Sequence, residues 1–316
     1  MPFELEIIHW LQSFSNTFLD YLFIFFTFFG EEEVVIGLLG GIYWSVDKKI
    51  GERLGITVFI SLGLNSILKV IFMRVRPYLV DSTITNLRPS TSPGYSMPSG
   101  HTQSASTVFF GIYQFFRKKW LLIVAIVITV LVGISRMYLG VHYLTDVIVG
   151  GLLGFVITYC MYRWLSKKED LSRIYEIILI ISGVFLFAYY IINLLKYSGT
   201  TFQSKEFFES TSSLSEMIGV LVGFIIGVKI EHKYINFENH KNLFKNILRF
   251  ILGVAVVMIV RLGLKELFLL IVDPEELIEN QALLSISASL LDFLRYVIMV
   301  VVGIGIYPFL IKKLKI

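Results

Sequence analysis

The stretch from Lys119 to Arg136, KWLLIVAIVITVLVGISR, decides the fold. From Trp120 to Ile134 it carries no charge, and about 20 such residues in a helix cross the hydrocarbon core of a bilayer. It ends on Ser135 and Arg136, where an apolar helix meets polar surroundings. Working outward, comparable apolar runs lie near 11–30, 34–46, 55–72, 103–117, 144–164, 174–196, 214–230, 248–272 and 286–310. With the first run they predict an all-α, polytopic membrane helical bundle of about ten transmembrane helices. Residues Phe3 to His9 predict a short interfacial helix ahead of the first span.

Composition agrees with lipid as the solvent. Apolar residues make up 55% of the 316 and charged residues only 16%, whereas a soluble domain of this size has about 25% charged residues. The net charge of +4 is not gathered in one long basic run, which argues against a nucleic-acid partner. The single cysteine, Cys160, lies within an apolar run and allows neither an internal disulfide nor a cysteine metal site. The N-terminus has no basic region followed by a short apolar run and a small-residue cleavage site, so no removable signal peptide is expected.

Charges in the connecting segments give the expected sidedness. Basic residues collect at Lys48, Lys49 and Arg53, at Arg117 to Lys119, at Lys167 and Lys168, across Lys229 to Lys245, and at Lys312, Lys313 and Lys315. If all ten runs cross, these share one face, which the positive-inside rule makes cytoplasmic. Glu31 to Glu33, the segment 78–100, the turn 135–146 and the acidic Asp273, Glu275, Glu276 and Glu279 then face outward, and both termini lie inside. A polar segment, Ser166 to Ser172, separates a domain 1–168 with six spans from a domain 169–316 with four. Glycines four apart, Gly150 with Gly154 and Gly223 with Gly227, either let helices approach closely or reflect how common glycine is in membrane helices.

Three clusters of polar residues gather at span ends on the expected outer side. The first is KVIFMRVRP, with Lys69, Arg76 and Pro77; the second is PSGH, Pro98 to His101. The third is SRMYLGVHYLTD, with Ser135, Arg136, His142 and Asp146. Such residues are costly beside a bilayer and need a reason. Transfer of a phosphoryl group would supply one. A tetrahedral dianion needs fixed cationic donors, which Lys69, Arg76 and Arg136 provide, the arginines with two parallel hydrogen bonds each. The turn at PSGH can direct the amides of Ser99 and Gly100 at an anion. His142 and Asp146, four apart, share a helix face, so the carboxylate can hold the imidazole as a neutral nucleophile. His101 remains as the proton donor for the leaving oxygen. The nearby acidic residues are too few for a two-metal site, so no metal and no cofactor is expected.

These clusters resemble the three-part signature of the type 2 phosphatidic acid phosphatase family, KxxxxxxRP, PSGH and SRxxxxxHxxxD, at all eleven specified positions. The resemblance runs from about residue 20 to 165. It implies a metal-independent membrane hydrolase in which His142 forms a phosphohistidine, Asp146 supports it, and His101 protonates the departing lipid oxygen and then activates water. It implies that Lys69, Arg76, Ser99, Gly100 and Arg136 hold the phosphate. Ser135 either contacts phosphate or caps the following helix. Arg74, Tyr78 and Arg88, in or beside the outer loop, are expected either to meet a head group or to be solvated.

The expected substrate is a lipid phosphate, with an isoprenoid diphosphate such as undecaprenyl diphosphate first. Phosphatidylglycerol phosphate, phosphatidic acid and a sphingoid phosphate stand as alternatives. A phosphotransferase, or a transporter or flippase that binds lipid phosphate without cleaving it, remains open. The setting expected is a bacterial plasma membrane, with membrane lipids around the chain and the site facing outside; whether it forms a homo-oligomer is open. Arg261 and Lys265 in the ninth run, and Asp292 and Arg295 in the tenth, are expected either to form an ion-pair network between those helices or to line a second polar cavity.

Overall fold

The structure, a computed structural model, describes residues 2–197, 205–270, 282–314 and 316. Asp273, Glu275, Glu276, Glu279 and Lys315, part of the sidedness pattern, lie outside the described residues. The described residues are helical or loop, with no β-strand among them. Each of the ten apolar runs lies mainly on helix where it is described, and six helices among the described residues are long and apolar enough to cross a bilayer. The chain is an integral membrane protein. It forms two compact units, one of 1–35 and 60–167, the other of 36–59 and 168–316.

In the first unit, α1 (Pro2–Gln12) is the short helix expected ahead of the first span, and its exposed Phe3 and Trp10 oppose the fully buried Ile8. Helix α2 (Thr17–Phe28) starts where the Asn16 side chain accepts the Leu19 amide at 3.0 Å, an N-cap that satisfies one orphan donor. Helix α3 is Glu32–Gly41, and α4 (Lys48–Phe72) ends in this unit with Lys69 on its last turns. A single turn, α5 (Pro77–Val80), opens the long loop that leads to α6 (Gly100–Phe116). Arg117 ends α6 in the left-handed conformation, and α7 (Lys119–Tyr138) follows at once. Helix α8 (Leu144–Leu165) begins where the Asp146 carboxylate accepts the Tyr143 amide at 2.9 Å.

Helices in lipid associate mainly through close contact, because the lipid is as apolar as their surfaces. Gly150 and Gly154 serve that purpose: a Cβ at Gly150 would come within 2.6 Å of the Ser99 carbonyl oxygen, and one at Gly154 within 2.6 Å of that of Gln103. Helix α8 therefore lies directly on the α6 backbone. Below the α6 start, the Gln103 amide donates to the Ser61 carbonyl at 2.7 Å, and Ser61 Oγ and Thr107 Oγ1 are 2.9 Å apart. All three side chains are fully buried, and these bonds satisfy them.

The second unit holds the described parts of α9 (Ser172–Tyr197), α10 (Lys205–Ile230), α11 (Leu243–Leu269), α12 (Ala282–Val300) and α13 (Tyr307–Leu314), with π-helical turns at Ile42–Val46, Glu231–Ile235 and Val301–Ile306. Its core includes Trp44, which donates to the Gly303 carbonyl at 3.1 Å and meets the Tyr307 ring edge-on. Gly223 lets α10 lie on α12, where its Cβ would come within 2.7 Å of the Val297 carbonyl. Arg295 pairs with Asp292 at 3.0 Å and with Glu216 at 3.4 Å, and Ser212 donates to Asp292 at 2.9 Å. These partners of the Asp292–Arg295 pair lie on α10, which packs along α12, a helix that the expected network between the ninth and tenth runs did not include. Lys265 and Glu266 are exposed on α11.

Candidate active site

Four residues beyond α4, Arg76 holds the N-cap of α5, with Pro77 as the first helical residue, where a missing amide costs nothing. It is fully buried, and its guanidinium donates to three carbonyls: Gly94 at 2.8 Å, Pro93 at 2.6 Å and Val141 at 3.0 Å. The same Nη1 lies 3.4 Å from His142 Nε2.

His142 sits in the short connection between α7 and α8, 1% exposed. Its Nδ1 is 3.4 Å from both Asp146 Oδ2 and Ser96 Oγ, and Ser96 donates to that same carboxylate oxygen. Burial, together with Arg76, Arg136 and Lys69, holds the imidazole well below its ordinary range near 6.5. The ring is therefore neutral at physiological pH, as a nucleophile must be. Its carboxylate partner is tied on every side: Tyr143 N and Ser96 Oγ donate to Oδ2, and Arg74 Nη1 donates to Oδ1 at 2.7 Å.

His101 lies on the first turn of α6 with its Nε2 buried and, among the described residues, without a hydrogen-bond partner. Gly30 makes room for it, since a Cβ there would strike the His101 backbone. Asn65 props the turn, donating to the Pro98 carbonyl at 3.3 Å and to Gln103 Oε1 at 2.8 Å. The Ser99 amide does not join that of Gly100 in facing an anion: it donates to the Asp146 carbonyl at 3.0 Å, because the start of α8 runs beside it. The Ser99 hydroxyl is 2.9 Å from Thr102 Oγ1.

Arg136, at the end of α7, is fully buried; Nη1 donates to Thr27 Oγ1 and Thr91 Oγ1, each at 3.1 Å, while its Nε has no partner among the described residues. Ser135 bonds back to the Val132 carbonyl at 2.6 Å within α7. Lys69 is half-buried and near enough to both histidines to act on their charge. The three clusters thus meet within one unit.

Arg74 is placed differently from the head-group contact or solvated residue expected. It faces inward, bridging Asp146 and Glu4, and lies 3.8 Å from the centre of the Tyr143 ring. Arg88 pairs with Glu31 at 2.7 Å, and the Tyr78 hydroxyl lies 3.5 Å from the Ser92 carbonyl. Ser96, Asn65 and Glu4 were not among the sequence candidates. Ser96 and Asn65 are single polar residues with no spacing signal, and Glu4 sits 142 positions from the Asp146 it serves. Among the described residues no three His, Cys, Asp or Glu side chains gather closely enough to hold a metal ion.

Comparison with known proteins matches residues 53–170 to the PAP2 superfamily and residues 215–316 to the PAP2 superfamily phosphatase transmembrane extension. Undecaprenyl-diphosphatase of Sulfolobus acidocaldarius is 32% identical over 160 residues, which cover 50% of this chain and 76% of that protein. Human sphingosine-1-phosphate phosphatase 2 is 25% identical over 221 residues, 67% of this chain but only 53% of that protein, so the match spans little more than half of the relative. Among solved structures, Aquifex aeolicus LpxE is 26% identical with a TM-score of 0.45, covering 51% of this chain and 95% of that one.

Proposed function

Because the chain belongs to the PAP2 superfamily, we propose that it is a metal-independent membrane phosphatase that hydrolyses a lipid phosphate or diphosphate through a phosphohistidine. The observation that carries this reading is the pair His142–Arg76, with the imidazole Nε2 facing the guanidinium that would hold the substrate's phosphoryl oxygens. In the first step His142 Nε2 attacks phosphorus and the bond from phosphorus to the lipid oxygen breaks; that oxygen takes its proton from His101 in the imidazolium form, which the bound phosphate's negative charge favours, and His101 is left neutral. In the second, water gives a proton to His101 and its oxygen attacks phosphorus; the phosphorus–nitrogen bond breaks and inorganic phosphate leaves. Lys69, Arg76, Arg136 and the Gly100 amide at the α6 start stabilise the charge that builds on the transferred group, while Ser99 ties that turn to α8 through the Asp146 carbonyl. Ser135, whose hydroxyl is held by Val132, supports the turn of α7 that carries Arg136.

An isoprenoid diphosphate is the substrate we favour, supported by the 32% identity to an undecaprenyl-diphosphatase over three quarters of that protein. A sphingoid phosphate is the second reading, supported by a match to sphingosine-1-phosphate phosphatase 2 that extends over 221 residues. The domain 1–168 carries the chemistry in this proposal. The site opens to the outer face of a bacterial plasma membrane with both termini in the cytoplasm, a sidedness that the basic clusters support.

Phosphate release by purified protein in detergent with EDTA, measured over a panel of undecaprenyl diphosphate, phosphatidylglycerol phosphate, phosphatidic acid and sphingosine 1-phosphate, tests the proposal. Wild type should release phosphate and His142→Ala should not. Dependence on added metal would overturn the mechanism, and binding without release would favour a transporter.

A further inference from the structure

The first unit contains a buried ion relay that the reaction above does not use. Arg74 lies between two carboxylates: Nη1 reaches Asp146 Oδ1 at 2.7 Å and Nη2 reaches Glu4 Oε2 at 2.6 Å. Both Arg74 and Glu4 side chains are only 12% exposed, and that of Asp146 is fully buried. Glu4 is fixed in turn, with Oε1 accepting the Thr145 amide at 3.0 Å and its hydroxyl at 2.7 Å. The Arg74 carbonyl accepts the Ser96 amide at 2.8 Å, so the segment bearing Arg74 also places the hydroxyl that donates to Asp146. A surface ion pair contributes little, but a guanidinium shared by two enclosed carboxylates fixes geometry, and removing it leaves charge uncompensated. Arg74 falls between the signature positions Lys69 and Arg76, and Glu4 lies outside the signature.

We infer that Arg74, braced by Glu4 of the N-terminal helix α1, is a positioning residue that orients Asp146 toward His142 and limits how strongly that carboxylate stabilises the imidazolium. The inference rests on the phosphatase reading above. The guanidinium occupies Oδ1 and leaves Oδ2 for Ser96, Tyr143 and the imidazole. It also offsets part of the carboxylate's charge, which keeps His142 in its neutral, attacking form. The other charged and titratable groups facing His142 are Lys69 and Arg76 from α4 and the loop after it, His101 from α6, Arg136 from α7 and Asp146 from α8. Helix α1 is fastened at further points, by His9 to Asp81 at 2.9 Å and by the Gln12 amide to the Thr85 and Tyr138 carbonyls at 2.8 and 3.0 Å. Glu4 is thus presented by an anchored element.

The test uses full-length protein in detergent and dioctanoyl phosphatidic acid as probe, with kcat, KM and the pH profile of kcat/KM measured for wild type, Arg74→Ala, Arg74→Lys, Glu4→Gln and the Arg74→Ala/Glu4→Gln double variant. Arg74→Ala should lower kcat by about 10- to 100-fold, the range for loss of a group that orients a catalytic ligand, with KM little changed. The acid limb of kcat/KM should move to higher pH, because the unopposed Asp146 charge then favours the protonated imidazole. Lysine should restore part of kcat. Glu4→Gln should shift both quantities in the same direction by less and add nothing in the Arg74→Ala background. If Arg74→Ala does not fold, Glu4→Gln and Arg74→Lys must still move the acid limb. An unmoved acid limb, or additive losses from Glu4 and Arg74, overturns the inference. A wild type that releases no phosphate from this probe or the lipid panel overturns the phosphatase reading instead, and His142→Ala distinguishes the two.

Discussion

Arg76 Nη1 stands 3.4 Å from His142 Nε2, while the opposite nitrogen of the same ring faces Ser96 and Asp146. The imidazole is held from behind by acceptors and faced by a cation in front, so a phosphoryl oxygen drawn to the guanidinium is brought up to the nitrogen that attacks phosphorus. Arg76→Lys keeps the charge but loses the planar fork that bonds Gly94, Pro93 and Val141. A fall in kcat/KM of about 100-fold or more is expected, comparable to loss of one preorganised transition-state donor. Reactions with phosphorus-labelled lipid, quenched in alkaline detergent, should contain a base-stable, acid-labile protein phosphate in wild type and none in His142→Ala.

The protonation state of His142 gives a pH prediction. Its folded pKa lies below the ordinary value of 6.5, through burial and then Arg76, Arg136 and Lys69. The fold therefore favours the neutral ring, an advantage fully present above 6.5 and lost as pH falls through the lower folded value. The acid limb of kcat/KM, corrected for ionisation of the substrate phosphate, should lie below 6.5. A limb at or above 6.5 would contradict the site as described.

Packing of α8 on α6 makes a third prediction. Gly150→Leu or Gly154→Leu forces bulk against the Ser99 or Gln103 backbone, and overpacking of this kind costs about 1–3 kcal/mol. It also displaces the PSGH turn, so activity should fall further than stability. Gly63, where an added Cβ would meet nothing within 4 Å, should accept alanine with activity and thermal stability intact. Phosphate release and thermal unfolding, measured on the same preparations, check both halves.

A fourth concerns the second unit. Lys48 Nζ lies 3.0 Å from Glu231 Oε1, and the Glu231 side chain is fully buried. Lys48→Met leaves that carboxylate with the Phe237 amide at 2.8 Å and His232 at 3.7 Å but without its lysine, a loss of up to about 3 kcal/mol for a broken buried pair. Lys48→Met/Glu231→Gln should recover much of it. Thermal unfolding of the single and double variants in detergent measures the coupling, and equal losses in both would remove the pair as a source of stability.

What the sequence made legible follows the range of the forces involved. Helices could be read because uninterrupted apolar runs have only one economical backbone in lipid, and every run from 11–30 to 286–310 is mainly helical where it is described. Lys69, Arg76, His101, Arg136, His142 and Asp146 could be read because cationic and imidazole side chains beside apolar spans are rare and need a reason. Pairings set by three-dimensional packing could not. Nothing local tells that the Ser99 amide belongs to the Asp146 carbonyl, that Arg74 turns inward to Glu4, or that Asp292 and Arg295 answer to Ser212 and Glu216.

The contact of α8 with the α6 backbone, made where Gly150 and Gly154 lack side chains, has a bearing on how such an enzyme can diversify. The proton donor rides on the first turn of α6 and the nucleophile on the connection that enters α8 two residues later, so the span between them is set where these two helices lock together. New lipid heads can then be fitted over generations by exchanging side chains at the rim, while Pro93, Gly94 and Ser96, which hold Arg76 and Asp146, and the reacting atoms keep their places.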